Sequence, residues 1–537
     1  MAQSSWNYGD ILDAVASAVP QDAPALIHGE RIIAWGDFDR RGNRLARVLV
    51  ARGAGPGDKV AIYTRNRPEY TEALAACFKA RLVHVNVNYR YRAEEIFYIL
   101  DNSDAQAVLF QDEFAPVIEQ LRPRLPKVGS WVQIGQPPHQ GDTLHYDDLV
   151  AQGDGSKLDI ARSPDDQFFI YTGGTTGMPK AVMWQVGDLR AAQLQAPSVP
   201  YRPTDMADHA RMVRQMPVRP RYIPACPLMH GTGLLTAIAT MVNGGCVITL
   251  EGGSFDAEEL WRTVTRTRAT QMAIVGDVFA KPMLDALRKQ PGRYDPSSVL
   301  QIVSSGVMWS EEVKRGLIEF MPQVTLLDSF GASEGLGFGL AMMTKDNVWH
   351  TARFAIGPDV KVFDEHDREV APGSDTPGLI ARGGPIPIGY YKDEAKSART
   401  FRTIDGRRWS IPGDWCRVEA DGSVTLLGRG SQCINSGGEK IYPEEVEEVL
   451  KTHPDVEDVL VLGVPDERWG QAVTAVVRPR ADSHPSEDAL RQLVRTTLAP
   501  YKAPKRVVFA DRAFRSPAGK ADYKEAGAFA RKSLGLG

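Results

Sequence analysis

The chain has 537 residues, a length that allows roughly three or four compact units at about 150 residues per domain. Hydrophobic residues make up 43% and charged residues 24% of the chain, which excludes a largely disordered or collagen-like protein. The 63 basic and 67 acidic residues leave a net charge of −4, so no general field attracts nucleic acid. We therefore expect a soluble, folded protein, in which a local basic site remains possible.

The cysteine pattern and the beginning of the chain favour a reducing compartment. The five cysteines are scattered without a Cys-x-x-Cys pair, which argues against disulfides and against a thiolate zinc site. Residues 1–10 are polar and lack a basic region followed by an apolar core, so we expect no secretory signal. We predict a cytoplasmic protein without a transmembrane segment. The sequence leaves peripheral contact with a membrane open and makes no prediction of oligomeric state.

The N-terminal part of the chain alternates between strands and helices. Residues 60–63 and 82–87 are typical of buried strands, and 68–79 between them has helical spacing, which gives a β-α-β unit. Such alternation predicts an α/β fold whose parallel sheets are covered by helices. The same pattern predicts strands at 105–110, 167–171, 245–250, 271–275, 298–303 and 324–327, and helices that include 257–267 and 310–320.

Two stretches do not fit a simple alternation of strands and helices. Residues 231–250 carry no charge and are long enough to span a bilayer. Asn243-Gly244-Gly245 divides them, so we predict a buried helix followed by a strand at 246–250. The proline-rich stretch 197–227 predicts a long surface excursion with solvated arginines.

The pattern changes twice toward the C-terminus. From residue 361 short strands alternate with Pro, Gly and Asp-Gly turns, which predicts a small β-rich subdomain over 361–428. After residue 428 the order of elements predicts a compact α+β domain, with helices at 443–452 and 486–498 and strands at 456–463, 471–478 and 506–509. We therefore predict an N-terminal domain of residues 1–428, a connection at 429–431 and a C-terminal domain of residues 432–537.

The string most informative about chemistry is Thr172-Gly173-Gly174-Thr175-Thr176-Gly177-Met178-Pro179-Lys180, directly after the predicted strand 167–171. Its glycines let the backbone approach a ligand, its threonine hydroxyls donate hydrogen bonds, and its lysine supplies positive charge. A polyphosphate needs these groups. The string differs from a Walker A loop, because Pro179-Lys180-Ala181 stands where that pattern requires Gly-Lys-Ser/Thr.

Six further segments follow in an order that resembles one known group of enzymes. They are Pro227–Gly233, Ser304–Met308, Asp328–Gly335, Gly413–Trp415, the stretch 428–447 and Ser516–Lys520. With the loop at 172–180 they make nearly the whole chain similar to the adenylate-forming superfamily. This superfamily comprises acyl-CoA synthetases, aryl-CoA ligases, luciferases and peptide-synthetase adenylation domains. The resemblance implies a mobile C-terminal domain that rotates about a hinge at 429–431.

The resemblance implies ATP, Mg²⁺ and CoA as cofactors or co-substrates and a carboxylic acid as substrate. It assigns Mg²⁺ to Glu334, the reacting carboxylate to Lys520 and a wall of the acyl pocket to His230, and we expect these three residues to act in catalysis. The residues expected to bind nucleotide or CoA are Thr172, Gly173, Gly174, Thr175, Thr176, Gly177 and Lys180 in the phosphate loop, Gly306, Val307 and Met308 beside adenine, Asp328, Ser329, Phe330, Gly331 and Ser333 beside the phosphates, Asp414 and Arg429 at the ribose, Ser431 at the hinge, and Gly437 and Gly438 at the pantetheine tunnel.

Several positions differ from the usual residues of the superfamily. Gly174 stands where a serine is more usual, Ser333 replaces a threonine but keeps its hydroxyl, and Ser431 replaces an aspartate or lysine. The residues around Lys520 read Pro-Ala-Gly-Lys-Ala-Asp-Tyr-Lys, which is similar to a bacterial branch acting on bulky, partly sterol-derived acids.

The expected substrate follows from the residues around the predicted pocket. His230, Leu234-Leu235 and Gly335-Leu336-Gly337-Phe338-Gly339 form an apolar set in which the glycines leave room for something large. We therefore expect an ATP-dependent acyl-CoA synthetase, an AMP-forming acid–thiol ligase, for a medium- or long-chain or bulky apolar acid.

Three other functions stay open on the sequence. An acyl-adenylating enzyme could load a carrier protein instead of CoA, although no carrier domain is visible. Residues 331–335 also match Gly-x-Ser-x-Gly, the nucleophile elbow of α/β-hydrolases, which makes Ser333 a candidate nucleophile. A hydrolase gives no role to the Gly/Thr/Lys loop, and a binding protein without catalysis gives none to Glu334, Asp414, Arg429 and Lys520.

Overall fold

The computed structural model describes most of the chain, namely residues 6–137, 142–172, 178–196, 202–307, 309–349, 352–429, 432, 434–436, 439–466, 469–498, 500–516 and 519–536. It divides into two compact units, Met1–Trp349 with Arg382–Ser410 and His350–Ala381 with Ile411–Gly537. The domain boundary at residue 428 and the hinge at 429–431 stay predictions. Within the described ranges, no helix combines the length and the apolar character needed to cross a membrane.

The described helices are α1 (Tyr8–Ala18), α2 (Trp35–Ala51), α3 (Pro68–Ala80), α4 (Ala93–Asn102), α5 (Ala115–Leu121), α6 (Tyr146–Ala151), α7 (Val186–Leu194), α8 (Met206–Gln215), α9 (Gly231–Val242), α10 (Ala257–Thr267), α11 (Asp277–Lys289), α12 (Glu311–Phe320), α13 (Glu394–Thr400), α14 (Pro443–Lys451), α15 (Glu487–Thr497) and α16 (Tyr523–Ser533).

The described strands of the first half of the chain are β1 (Pro24–His28), β2 (Arg31–Ala34), β3 (Lys59–Tyr63), β4 (Val83–Asn86), β5 (Ala105–Gln111), β6 (Ser130–Ile134), β7 (Leu144–His145), β8 (Gln167–Thr172), β9 (Lys180–Gln185), β10 (Arg221–Pro224), β11 (Cys246–Thr249) and β12 (Gln271–Ile274). Those that follow are β13 (Gln301–Ser305), β14 (Thr325–Ala332), β15 (Gly335–Met343), β16 (Arg353–Phe354), β17 (Val360–Phe363), β18 (Gly378–Arg382), β19 (Gly389–Tyr390), β20 (Phe401–Ile404), β21 (Arg407–Ser410), β22 (Asp414–Val418), β23 (Val424–Arg429), β24 (Ile434–Ser436), β25 (Glu439–Ile441), β26 (Val456–Asp466), β27 (Gly470–Pro479) and β28 (Arg506–Phe509).

An eight-stranded sheet forms the centre of the first unit, in the order β15, β14, β13, β12, β10, β11, β1, β2. Its six inner strands are parallel, and β15 and β2 pair antiparallel at the two edges. Helices α9 to α12 alternate with strands β10 to β14 along the chain, as crossovers between parallel strands require. This arrangement confirms the predicted α/β fold class.

A second sheet of the first unit is buried on both faces. Its strands β4, β3, β5, β6 and β7 are all parallel. Alternate side chains of a strand point to opposite faces, and on β3 Val60 and Ile62 join the main core while Ala61 and Tyr63 join a second core. A small antiparallel sheet, β19-β9-β8, packs against both cores and carries the two ends of the predicted phosphate loop.

The second unit contains β16, β23, β22 and β18 as neighbouring strands, and a separate sheet in the order β25, β24, β27, β26 with β28 beside β27. On β26, Val459 and Val461 face a core shared with α14 and α15, whereas Leu460 and Leu462 face a core shared with α16. Helices therefore cover both faces of this sheet: α14 and α15 agree with the predicted helices 443–452 and 486–498, whereas α16 was not predicted.

Most predicted elements lie within a few residues of the observed ones, and one prediction is wrong. The apolar stretch 231–250 forms α9 and β11, as expected. The proline-rich stretch 197–227 is more than a surface excursion, because it contains α8 and the central strand β10. Pro220 precedes β10 and Pro224 ends it, so this strand of four residues has no clear pattern in the sequence. The described cysteines are buried and free, as predicted: Cys77, Cys226, Cys246 and Cys416.

Candidate active site

The predicted phosphate loop connects the end of β8 to the beginning of β9. β8 ends at Thr172, β9 begins at Lys180, and these two residues are register partners of an antiparallel pair. The backbones of Thr172 and Lys180 therefore lie side by side at the base of the loop. The loop positions between them that fall outside the described residues are Gly173, Gly174, Thr175, Thr176 and Gly177.

Lys180 forms an ion pair with a residue that the sequence analysis did not single out. Its Nζ lies 2.8 Å from Oδ2 of Asp393, and both side chains are half-buried. The hydrogen bond to Asp393 raises the pKa of Lys180 and lowers the pKa of Asp393. Asp393 also caps α13, because its carboxylate accepts a hydrogen bond from the backbone N–H of Lys396 at 3.0 Å.

Glu334 lies in the turn of the antiparallel hairpin formed by β14 and β15. The hydroxyl of Tyr390 donates to its Oε1 at 2.6 Å. The hydroxyl of Ser410 donates to its backbone carbonyl oxygen, also at 2.6 Å. Two strands of the first unit, β19 and β21, thus fix the carboxylate and the backbone of Glu334.

This chemistry fits a magnesium ligand. Mg²⁺ keeps several waters and is commonly held by one or two carboxylates together with the phosphates of a substrate. Across the described part of the chain, no group of three or more His, Cys, Asp or Glu side chains forms a metal cage. A half-buried carboxylate with one oxygen oriented by a hydroxyl suits an ion that arrives with a nucleotide.

Ser333 precedes Glu334 in the same turn, and its setting does not support a hydrolase. A nucleophile elbow joins a strand to a helix. Here Ala332 pairs with Gly335, so the turn joins two antiparallel strands. The indole N–H of Trp184 on β9 donates to the carbonyl oxygen of Ser333 at 2.9 Å, which attaches the hairpin to the strand that begins at Lys180.

The residues that lead into this turn divide between core and surface. Asp328 is buried, and its Oδ2 accepts a hydrogen bond from Nζ of Lys314 at 3.0 Å. Burial raises the pKa of Asp328, and Lys314 opposes this change. Ser329 is half-buried, Phe330 packs against Phe338 with ring centroids 5.8 Å apart, and Gly331 lies where the register shifts.

The predicted adenine loop follows β13. Gly306 is exposed with a φ of +89°, and a Cβ there would contact nothing within 4 Å. Val307 packs half-buried against the main core, and Met308 lies outside the described residues. The buried hydroxyl of Ser304 accepts a hydrogen bond from the backbone N–H of Gly276 at 2.9 Å, which joins the carboxyl ends of β12 and β13. In parallel sheets ligands bind at this edge.

His230 is the residue directly before α9, and two asparagines hold the chain that leads to it. Asn86 donates to the carbonyl oxygens of Met229 at 2.7 Å and Tyr171 at 2.9 Å, and accepts from the N–H of Tyr171 at 2.7 Å. Asn66 accepts from the N–H of Leu228 at 2.7 Å. The chain that enters the phosphate loop is therefore connected to the chain that positions His230.

Apolar side chains surround the remaining predicted pocket residues. Leu234 and Phe338 are buried, and Leu235 and Leu336 are half-buried against the main core. Gly337 has a φ of +69°, and a Cβ at this position would meet no atom within 4 Å. Gly337 is exposed, whereas a Cβ at Gly335 would lie 2.9 Å from the ring of Phe338, so the two glycines differ in the space that they leave.

The predicted ribose-binding residues belong to the second unit. Asp414 begins β22, is buried, and is the register partner of Arg429 at the end of β23. The two residues therefore lie on neighbouring strands, and their joint role at the ribose stays a prediction. Ser431, Gly437 and Gly438 lie outside the described residues.

Lys520 is exposed at a tight turn of the second unit. The backbone N–H of Gly519, which has a φ of +79°, donates to the carbonyl oxygen of Ser516 at 2.8 Å. The guanidinium of Arg515 holds the carboxylate of Asp458 through two hydrogen bonds of 2.7 and 2.9 Å and donates to the carbonyl oxygen of Gly519 at 3.2 Å. This contact connects the base of the Lys520 turn to β26.

The residues that orient the site have almost no signal in the sequence. Tyr390, Asp393 and Lys314 contact the predicted site residues Glu334, Lys180 and Asp328. Asn86 contacts Tyr171 and Met229, which directly precede the predicted site residues Thr172 and His230. Asp393 had one local signal, since an aspartate before the polar helical run 394–400 is typical of a helix N-cap. The others carry no local signal.

The sequence matches known families over most of its length. Residues 12–391 match the AMP-binding enzyme family, and residues 445–520 match the AMP-binding enzyme C-terminal domain. A medium/long-chain-fatty-acid--CoA/3-oxocholest-4-en-26-oate--CoA ligase of Mycobacterium marinum is 41% identical over 96% of this chain and 95% of its own. A 3-oxocholest-4-en-26-oate--CoA ligase of Rhodococcus rhodochrous is 39% identical with the same coverage.

Solved structures share the fold. The anthranilate CoA ligase AuaEII in complex with anthranoyl-AMP has a TM-score of 0.82 at 22% identity and covers 99% of this chain and 98% of its own. ATP-bound MatB from Rhodopseudomonas palustris has a TM-score of 0.81 at 25% identity and covers 98% of this chain and 100% of its own. The chain therefore belongs to the AMP-binding enzyme family, within the adenylate-forming superfamily that its motifs predict.

Proposed function

We propose that this chain is an ATP-dependent acyl-CoA synthetase. It activates a carboxylic acid as an acyl-adenylate with release of pyrophosphate, and then transfers the acyl group to CoA with release of AMP. The observation that carries the proposal is the similarity to curated CoA ligases at 39–41% identity over almost the whole chain. The arrangement of Lys180 and Glu334 in the first unit supports it.

The first half-reaction needs charge stabilisation above all. A carboxylate oxygen attacks the α-phosphorus of ATP, a P–O bond forms, and the bond to pyrophosphate breaks. Thr172 and Lys180 bind the departing phosphates, and Lys520 orients the substrate carboxylate. Glu334 would hold Mg²⁺, which when bound neutralises charge on the phosphates.

The second half-reaction uses a different acceptor at the same acyl group. The thiol of CoA attacks the adenylate carbonyl and AMP leaves. We assign Asp414 and Arg429 to the ribose, and Gly437 and Gly438 to the pantetheine arm. The rotation about residues 429–431 that the superfamily resemblance implies would replace Lys520 with these glycines.

The substrate class follows from the space and polarity near β15. Open space at Gly337 and apolar surroundings at Leu235 and Leu336 favour a medium- or long-chain or bulky, ring-bearing acid. The relatives whose names include fatty acids and 3-oxocholest-4-en-26-oate support this choice. We further place the enzyme in the cytoplasm, with CoA rather than a carrier protein as acceptor.

The test is pyrophosphate release from ATP and Mg²⁺ across straight-chain, sterol-derived and aryl acids, with and without CoA, while mass spectrometry follows acyl-CoA. We expect acid-dependent pyrophosphate together with acyl-CoA, and the largest kcat/KM with apolar acids. Pyrophosphate without acyl-CoA would move the acceptor to a carrier protein. No pyrophosphate with any acid would contradict the proposed function.

A further inference from the structure

A short segment of the first unit contacts both side chains assigned to ATP. Tyr390 donates a hydrogen bond to Glu334, and Asp393 forms an ion pair with Lys180. The two contacts are three residues apart in the chain. One segment thus orients the carboxylate assigned to Mg²⁺ and pairs with the lysine of the phosphate loop.

Strand pairing and hydrogen bonds attach this segment, residues 390–393, to the strand that begins at Lys180. Tyr390 is the register partner of Val182, and the N–H of Tyr391 donates to the carbonyl oxygen of Ala181 at 2.9 Å. The hydroxyl of Ser397 accepts from the N–H of Tyr390 at 2.8 Å and donates to the carbonyl oxygen of Asp393 at 2.7 Å. The positions of Tyr390 and Asp393 are therefore set by β9 and by α13 together.

The two contacts have opposite consequences for a nucleotide. A hydrogen bond from Tyr390 leaves Glu334 able to bind a cation and fixes its orientation, as partners of metal-ligating carboxylates do. The carboxylate of Asp393 neutralises the charge of Lys180, and a polyphosphate needs that charge. A lysine ammonium has three donors, but its single charge is shared between two anions when both are present.

We propose that Tyr390 is a positioning residue for Glu334 and that Asp393 competes with the phosphates of ATP for Lys180. This inference rests on the proposed function, since it takes ATP as the ligand of Lys180. Removing the charge of Asp393 therefore tightens ATP binding, whereas removing the hydroxyl of Tyr390 raises the Mg²⁺ concentration that ATP binding needs.

The first test is Asp393→Asn. Asparagine caps a helix as well as aspartate does, so α13 keeps its N-cap while the charge is lost. We expect the Kd for ATP, measured by calorimetry with Mg²⁺ and without acid, to fall about two- to fivefold, the range for a partly exposed ion pair. In the Lys180→Met background, Asp393→Asn should not change the Kd for ATP, because the lysine for which Asp393 and the phosphates compete is absent.

The matched control is Asp104→Asn. Asp104 pairs with Lys392, next to Asp393 in the same segment, and with Lys127, without contacting Lys180. Its Kd for ATP should stay within about 1.5-fold of wild type, because the ion pairs that it loses do not involve Lys180. An Asp393→Asn variant that binds ATP equally well or more weakly than wild type would overturn the competition.

The second test is Tyr390→Phe, with Tyr391→Phe as its control. Each substitution removes a hydroxyl that donates to a carboxylate, to Glu334 at 2.6 Å in one case and to Asp104 at 2.9 Å in the other. We expect the Mg²⁺ concentration that half-saturates ATP binding to rise about tenfold in Tyr390→Phe and to stay unchanged in Tyr391→Phe. Equal values for both variants would overturn the positioning role.

Measurements on the wild-type protein distinguish a failure of the proposed roles of Tyr390 and Asp393 from a failure of the proposed function. ATP binding and acid-dependent pyrophosphate release by wild type, with no change in the variants, would overturn the roles of Tyr390 and Asp393 and leave the proposed function standing. Absence of ATP binding by folded wild type would overturn both.

Discussion

The charged residues around the site differ in how strongly they are buried. This difference distinguishes ion pairs that stabilise the fold from ion pairs that can exchange partners. Asp328 and Lys314 are 10% and 3% exposed at the side chain, whereas Asp393 and Lys180 are 19% and 32% exposed. A buried charge that loses its partner is costly, because neither water nor another group replaces the lost contact. The first pair is therefore a permanent part of the fold, and the second can exchange partners.

We expect Lys314→Met to lower the free energy of unfolding by about 3–5 kcal/mol, the cost of breaking a buried pair. The Asp328 carboxylate would remain in the core without its cation. The double variant Lys314→Met/Asp328→Leu should recover most of the loss, because no charge is then buried. Arg315→Met is the control, since Arg315 forms an exposed pair with Glu311 whose loss costs about 0.5 kcal/mol. Urea unfolding of all four proteins measures these differences.

The same pair predicts a pH dependence. Burial raises the pKa of Asp328 above its ordinary value, and Lys314 acts against this rise. Between the unfolded and the folded pKa the folded protein binds more protons, so this group's contribution to stability falls as pH rises through that window. Removing Lys314 raises the folded pKa further. The stability deficit of Lys314→Met should therefore be small in acid and larger at neutral pH, and an equal deficit in urea unfolding at both would contradict this account.

At the scale of elements, α9 depends on a close approach that its glycines allow. A Cβ at Gly233 would lie 2.7 Å from the carbonyl oxygen of Pro227, whereas a Cβ at Gly231 would lie 3.9 Å from the side chain of Leu235. Hydrogen bonds to Asn66 and Asn86 also fix the backbone before His230. The start of α9 therefore has no freedom to move away from a new side chain at residue 233.

We expect Gly233→Ala and Gly231→Ala to have opposite effects on stability. Alanine favours a helix over glycine by about 1 kcal/mol, and Gly231→Ala should gain part of this. Gly233→Ala must displace backbone, with an expected loss of about 1–3 kcal/mol and a severalfold rise in the KM for the acid as His230 shifts. Thermal unfolding and steady-state kinetics of the two variants provide the comparison, and a stabilised Gly233→Ala would contradict the close approach.

Local elements could be predicted from the sequence, and long-range contacts could not. The bounds of α10 and β28 agree with the predicted 257–267 and 506–509, because periodicity and turn residues are local properties. The family and the ligase class were also predicted, and the relatives confirm both. The bond between Tyr390 and Glu334 joins residues 56 apart in the chain, and no pattern in either segment indicates the other. Strand β10 was missed because burial in the sheet overrides its proline-rich setting.

At the scale of the whole molecule, the three predicted catalytic residues and the phosphate-loop lysine Lys180 are distributed over two units. Lys180, Glu334 and His230 belong to the first unit, and Lys520 belongs to the second. The proposed function requires Lys520 to act on the same substrate as the others in the first half-reaction, and the resemblance to the superfamily implies that it leaves before the second. The Arg515–Asp458 pair fixes the turn that presents Lys520 within its own unit.

We therefore expect Lys520→Ala to separate the two half-reactions. Without the ammonium group, acid-dependent pyrophosphate release should fall about 10²- to 10³-fold, because developing charge loses a preorganised partner. Conversion of supplied acyl-adenylate and CoA to acyl-CoA should stay within about threefold of wild type, since that step uses other residues. Lys524→Ala, an exposed lysine on α16, is the control and should leave both rates unchanged. Equal loss of both half-reactions in Lys520→Ala would show that the lysine serves the whole site rather than the adenylating arrangement, and would remove the reason for a domain rotation.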